Sequence, residues 1–226
     1  ENYLDSIYNN FKKDKMNAAV VNFKHQNSSN SIIEEGIRKY ESILKKIAEN
    51  IEKTGSPYGY VSMGSTIVCN AKAYVAIGGM NTKKATEDFY FLQSLAKHTK
   101  VHRIKNVLVF PSSRGENRVY LGTGFRMDEY LKNKSFKNLN FTQDSYTEIK
   151  KILDIINLYW NDNSDLILKK LTCNLNKKSM NFLLNKNICN VLEKFKVNAK
   201  SKRQFILFFN QWFDALTIMK FLKDQN

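Results

Sequence analysis

All nine glycines and both prolines of this 226-residue chain fall before residue 125, and that asymmetry limits what each part can fold into. Glycine supplies left-handed turns and proline interrupts regular hydrogen bonding, so the first part can alternate short strands, turns and helices. The remainder is confined to helices separated by polar breaks. It shows apolar residues at helical spacing near 146–160, at 164–195 with a break around 173–178, and at 200–223. These patterns predict two domains, a mixed α/β domain at 1–125 and an α-helical domain at 126–226. No internal repeat points to a solenoid.

Within the first part, Leu4, Ile7, Tyr8 and Phe11 share a helical face over Tyr3–Lys13, and Ala18–Phe23 reads as a buried strand. Ser31 followed by Glu34 has the capping-box pattern, opening a helix toward Lys53 that a Gly-Ser-Pro stop ends at residues 55–57. Residues 58–69 read as extended, 71–77 as a short helix closed by Gly78 and Gly79, and 86–98 as a helix capped by Thr86. In that last helix Phe89, Leu92, Leu95 and Ala96 are expected to face inward. Residues 101–110 supply two short strand segments about Lys105 and Asn106, and 111–124 a polar loop.

Composition narrows the function classes. Hydrophobic residues at 42% and aromatics at 12% can fill a core. The net charge of +15 is spread evenly, with 19 Lys+Arg against 11 Asp+Glu in residues 1–126 and 17 against 10 in 127–226. Thirty of the 36 basic residues are lysine, a point charge, whereas base-edge recognition favours the arginine fork, and no nucleic-acid motif is present. Nucleic acid is therefore not an expected partner, although a diffuse positive field favours anionic membrane or anionic substrate. Cys69, Cys173 and Cys189 have no metal or disulfide spacing, which fits a reducing, cytoplasmic compartment. Polar residues interrupt the apolar run 205–222, so no membrane span is expected. The absence of an initiator Met before Glu1 suggests a truncated chain.

One ordered set of residues carries chemistry. Gly64, Ser65 and Thr66 lie on an expected strand, Gly78-Gly79-Met80 close a helix, and Thr86-Glu87-Asp88-Phe89 open the next. Arg114, Arg118 and Gly122-Thr123-Gly124 follow. Read singly, each is ordinary: a first-turn acid pair, a helix stop, a turn. In this order and spacing they resemble the second half of the catalytic domain of family 2 glycosyltransferases. The likeness covers about residues 1–125 and is nearest to bacterial members in which the acid pair continues as Asp-Phe-x-Phe-Leu, here Asp88 to Leu92, and an arginine precedes Gly-x-Gly.

That resemblance implies a partial GT-A fold, the acceptor-side half, followed by the helical domain. It implies an inverting transfer of sugar from a nucleotide donor to a hydroxyl of a saccharide or lipid-linked acceptor, of the kind that builds cell-envelope polysaccharide. By the same resemblance Asp88 is the catalytic base and Glu87 orients it or holds an acceptor hydroxyl. Gly64, Ser65, Gly78, Gly79, Arg114, Arg118, Gly122 and Gly124 bind substrate. A carboxylate at a helix N-terminus stays ionised, and an arginine in a glycine-bearing loop presents forked donors to diphosphate. The family's Asp-x-Asp metal motif is absent from the sequence. A divalent Mg or Mn ion is thus expected only of a full-length enzyme, with no metal ligands here and no activity without the nucleotide-binding half. No Gln-x-x-Arg-Trp motif follows Asp88, which disfavours processive synthesis.

Two other readings stay open: a non-catalytic module for carbohydrate or protein on the same scaffold, and a basic helical adaptor for anionic membrane or nucleic acid. His25 ends a strand near the expected cleft, whereas His98 and His102 share no metal spacing with it. Phe205, Phe208, Phe209, Trp212 and Phe213 either pack in a helical core, the favoured reading, or lie on the inner membrane face.

Overall fold

A computed structural model describes residues 2–80, 86–113 and 122–226. The chain is mixed α/β and divides into two compact units, Glu1–Glu49 with Tyr60–Asn140, and Asn50–Gly59 with Phe141–Asn226.

The first unit is organised by strand β1 (Ala18–Phe23), which pairs antiparallel with β2 (Ile67–Cys69) and parallel with β3 (Val101–Val109), giving the order β2-β1-β3. Its nearly unbroken apolar run reflects burial on both faces. On one face Ala18 and Val20 meet Ala73 of α3 (Ala71–Ala76) and Phe91, Leu92 and Leu95 of α4 (Glu87–His98). On the other, Ala19, Val21 and Ile104 meet Ile7 and Phe11 of α1 (Tyr3–Lys13). In α4 the fully inward aromatic is Phe91, with Phe89 half-buried.

β3 is one strand where the sequence suggested two. Opposite β1 its register passes from Val21↔Ile104 to Asn22↔Val107 and Phe23↔Val109, so Lys105 and Asn106 form a bulge. The Asn22 side chain bridges it by donating to the Lys105 carbonyl at 3.0 Å. Residues 58–69 are likewise less extended than expected: Gly64–Thr66 form a 3-10 turn, and only Ile67–Cys69 pair as a strand.

Helix α2 (Ser31–Lys53) already includes the capping-box serine, and the cap is one residue earlier, where the Asn30 carboxamide accepts from the backbone of Ile32 and Ile33. Glu34 reaches back instead to the backbone N–H of Ser28 at 2.7 Å. Ile37 and Tyr40 of α2 pack against Met127 and Tyr130 of α5 (Thr123–Asn133) and Leu139. Gly36 permits that approach, since a Cβ there would lie 2.5 Å from the Tyr130 ring. Helix α5, expected to be partly loop and partly the start of the helical domain, therefore belongs to the first unit, and the second resumes at Phe141.

The second unit carries α6 (Gln143–Leu158), α7 (Ser164–Asn174), α8 (Lys177–Asn185), α9 (Ile188–Asn198), α10 (Lys202–Trp212) and α11 (Ala215–Gln225). Side chains of Thr142, Asn163, Asn176, Ser201 and Asp214 each accept from a backbone N–H in the helix they precede. Two breaks are finer than the sequence pattern, at Asn187 with φ 61° and at Phe213–Asp214. Phe205, Phe209, Phe213 and Phe221 are buried within this unit. Among the described residues no single helix is long and apolar enough to cross a membrane. The α10–α11 pair reaches the length only across a 60° bend.

Candidate functional site

Asp88 sits in the first turn of α4, half-buried. Its Oδ1 accepts from the Phe89 backbone N–H at 2.7 Å and its Oδ2 from that of Gly64 at 3.1 Å. Two pieces of the sequence constellation are thus joined, the 3-10 turn and the α4 N-terminus. The turn places Gly64 and Ser65 at the surface, and Thr66 anchors it by donating its hydroxyl to the Met63 carbonyl at 2.8 Å. Each carboxylate oxygen carries two lone pairs, so accepting one backbone N–H leaves capacity for a hydroxyl proton.

The residue before the pair departs from expectation. Thr86 is not a side-chain cap; its backbone is left-handed, φ 66°, which a β-branched residue adopts at a cost. Glu87 is half-buried in the first turn of α4. Gly78 and Gly79 take φ 76° and 77° after α3, the left-handed closure read from the sequence. The Tyr74 hydroxyl lies 3.1 Å from where a Gly79 Cβ would be.

One residue that the sequence does not single out feels the charge of Asp88. Tyr40 of α2 is buried, which pushes its phenol pKa up; Arg126 of α5 opposes that rise and Asp88 adds to it. Tyr40 therefore lies within electrostatic reach of both the carboxylate and a guanidinium. Arg126 is held by Glu129 at 2.7 Å and by the Lys137 carbonyl at 3.1 Å. No local pattern marks either residue, because it is the packing of α2 on α5 that brings Tyr40 toward the helix carrying Arg126. Gly122 precedes α5 with φ 112°, and its carbonyl accepts from Arg126, whereas Gly124 lies inside the first helical turn instead of a loop. Arg114 and Arg118 lie outside the described residues.

His25 is completely enclosed and does not face an open cleft. Its Nδ1 donates to Glu41 at 2.8 Å, its backbone N–H donates to the same oxygen, and its carbonyl accepts from Arg38 at 3.0 Å. Arg38 also holds Glu34 and Asn27. Burial lowers the His25 pKa against the opposing pull of Glu41. Burial alone would raise Glu41, but the hydrogen bonds and charge of His25 outweigh it, and Glu41 ends below the usual carboxylate range. The network clips the β1–α2 connection to α2. Burial also lowers His102 and raises the Cys69 thiol.

Among the described residues no three His, Cys, Asp or Glu side chains converge to hold a metal ion. No family model, curated protein or solved structure matches the chain.

Proposed function

We propose that the first unit is the acceptor-side half of an inverting glycosyltransferase of the family 2 type. Its expected reaction is transfer of a sugar from a nucleotide donor to a hydroxyl of a saccharide or lipid-linked acceptor. The observation that carries this reading is Asp88: a half-buried carboxylate at a helix N-terminus, bonded to the backbone of the Gly64 turn. A base for this reaction must meet an acceptor hydroxyl and take its proton as the anomeric carbon leaves the nucleotide. The two backbone N–H bonds fix the carboxylate's direction. Glu87, one residue earlier, is assigned to orient that carboxylate or to hold an acceptor hydroxyl. The nucleotide and any Mg or Mn ion would be held by residues of a donor half, so the chain by itself is expected to be inactive.

The test is turnover of a panel of nucleotide sugars by this chain joined to a nucleotide-binding half. The expected result is a product of inverted anomeric configuration; no transfer across the panel, or retention of configuration, contradicts the reading.

A second reading, a non-catalytic scaffold for carbohydrate or protein, draws on the same hydrogen bonds, because a purely structural acid at a helix start also accepts backbone N–H groups. It predicts saccharide or protein binding with no turnover, and a change of stability as the only consequence of substituting Asp88.

A further inference from the structure

A separate cavity of about 280 Å³ lies in the first unit between α2 and the β1–β3 pair, and its features do not depend on Asp88. It is roughly twice the ~150 Å³ of an apolar cavity that accepts benzene. Val20, Val21, Ala48, Val61 and Ile104 give it an aliphatic lining. Lys45, Arg103 and Lys105 contribute three cations to the same lining, against the single carboxylate of Glu49.

The cations are placed by the fold. Lys45 Nζ donates to the Phe23 carbonyl at 2.9 Å and rests 5.0 Å over the Phe23 ring, which fixes the ammonium while using one of its three N–H donors. Lys105 stands at the β3 bulge, a device that turns a side chain out of the ordinary strand alternation. The neutral polar groups in the lining are already engaged. Asn22 donates to the Lys105 carbonyl and accepts from the Phe23 N–H, and Thr66 donates to the Met63 carbonyl. Little is left to read the edge of a base or a sugar hydroxyl, and Lys45 covers a face of the Phe23 ring. What the cavity offers is an aliphatic surface and positive charge.

We infer that this cavity binds a small anionic amphiphile, a carboxylate or phosphate monoester joined to an aliphatic body of roughly ten carbons or fewer. The body lies against the aliphatic part of the lining, and the head meets Lys45, Arg103 and Lys105.

The test is calorimetric titration of the whole chain with octanoate and with octyl phosphate, with inorganic phosphate and uridine monophosphate as comparison ligands. At least one octyl ligand saturates a single site, and whichever binds tighter identifies the head group; the comparison ligands bind at least tenfold more weakly. Lys45→Met and Lys105→Glu each weaken the octyl ligand several-fold, and Ala48→Phe, which fills the cavity, abolishes binding. Lys105 is exposed, so Lys105→Glu keeps the fold even where Ala48→Phe does not. Absence of saturation by both octyl ligands, or unchanged affinity in Lys45→Met and Lys105→Glu, overturns the proposal. Uridine monophosphate binding as tightly as octyl phosphate overturns the aliphatic assignment.

Discussion

The backbone N–H of Gly64 donates to Oδ2 of Asp88 across 3.1 Å, tying a 3-10 turn to the first turn of a helix 24 residues further along the chain. Asp88→Ala removes the acceptor for this N–H and for that of Phe89 at the start of α4. Loss of such a cap costs about 1 kcal/mol. Asp88→Asn keeps one acceptor oxygen and replaces the other with an NH2 donor, so it retains one of the two bonds and is expected to cost less than Asp88→Ala. Urea denaturation of the two variants checks the ordering, and equal costs would contradict it.

Gly36→Ala reverses the usual helix rule. Alanine ordinarily stabilises a helix interior over glycine by about 1 kcal/mol. Here the added Cβ would lie 2.5 Å from Tyr130 Cδ1 and 2.6 Å from Met127 Cε, both on fully buried side chains. Overpacking of this kind costs about 1–3 kcal/mol, so the net effect expected is destabilisation. A rise in the melting temperature of Gly36→Ala would show that α5 is not packed on α2 as described.

Stability should fall on mild acidification through His25. Its pKa is lowered in the fold, so the unfolded chain binds a proton first. The contribution is therefore fully present above the unfolded histidine value of about 6.5 and is lost as pH falls from there toward the folded value. Glu41, also lowered, adds a second loss below the usual carboxylate range. Denaturation midpoints between pH 7.5 and 5 are expected to decline in the native chain. His25→Gln, destabilised at every pH, should show a flatter profile; an unchanged slope would contradict the assignment.

Thr86→Asn relieves a left-handed backbone, φ 66°, that asparagine tolerates better than a β-branched residue. A gain of roughly 0.5–1 kcal/mol is expected on that ground, read by chemical denaturation. A loss of stability would mean that contacts of the Thr86 side chain outweigh the strain.

The sequence showed the parts whose cause is local. Ala18–Phe23 reads as a strand because it is apolar throughout, and Gly78 and Gly79 read as a helix stop because only glycine takes their backbone angles freely. Helix α5 was hidden: its start at Gly122, Thr123 and Gly124 has the composition of a loop and no side-chain cap, and burial of Met127 and Tyr130 against α2 supplies the packing that supports it. The bulge at Lys105 looked like a strand end because its cause lies in the pairing with Asn22. The ordered constellation pointed to Asp88 and Gly64, but it could not show that their atoms meet. The influence of Asp88 on Tyr40 left no signal, since it depends on the tertiary packing of elements distant in sequence.

The most direct measurement compares sugar transfer by the chain joined to a nucleotide-binding half with that of its Asp88→Asn variant, alongside the stability of both. General-base removal typically costs about 10²–10⁴ in rate. The expected result is a fall in kcat of at least about a hundredfold while the variant stays folded, its stability lower by no more than about 1 kcal/mol for the one hydrogen bond lost. Undiminished turnover in Asp88→Asn contradicts the assignment of this carboxylate as the base.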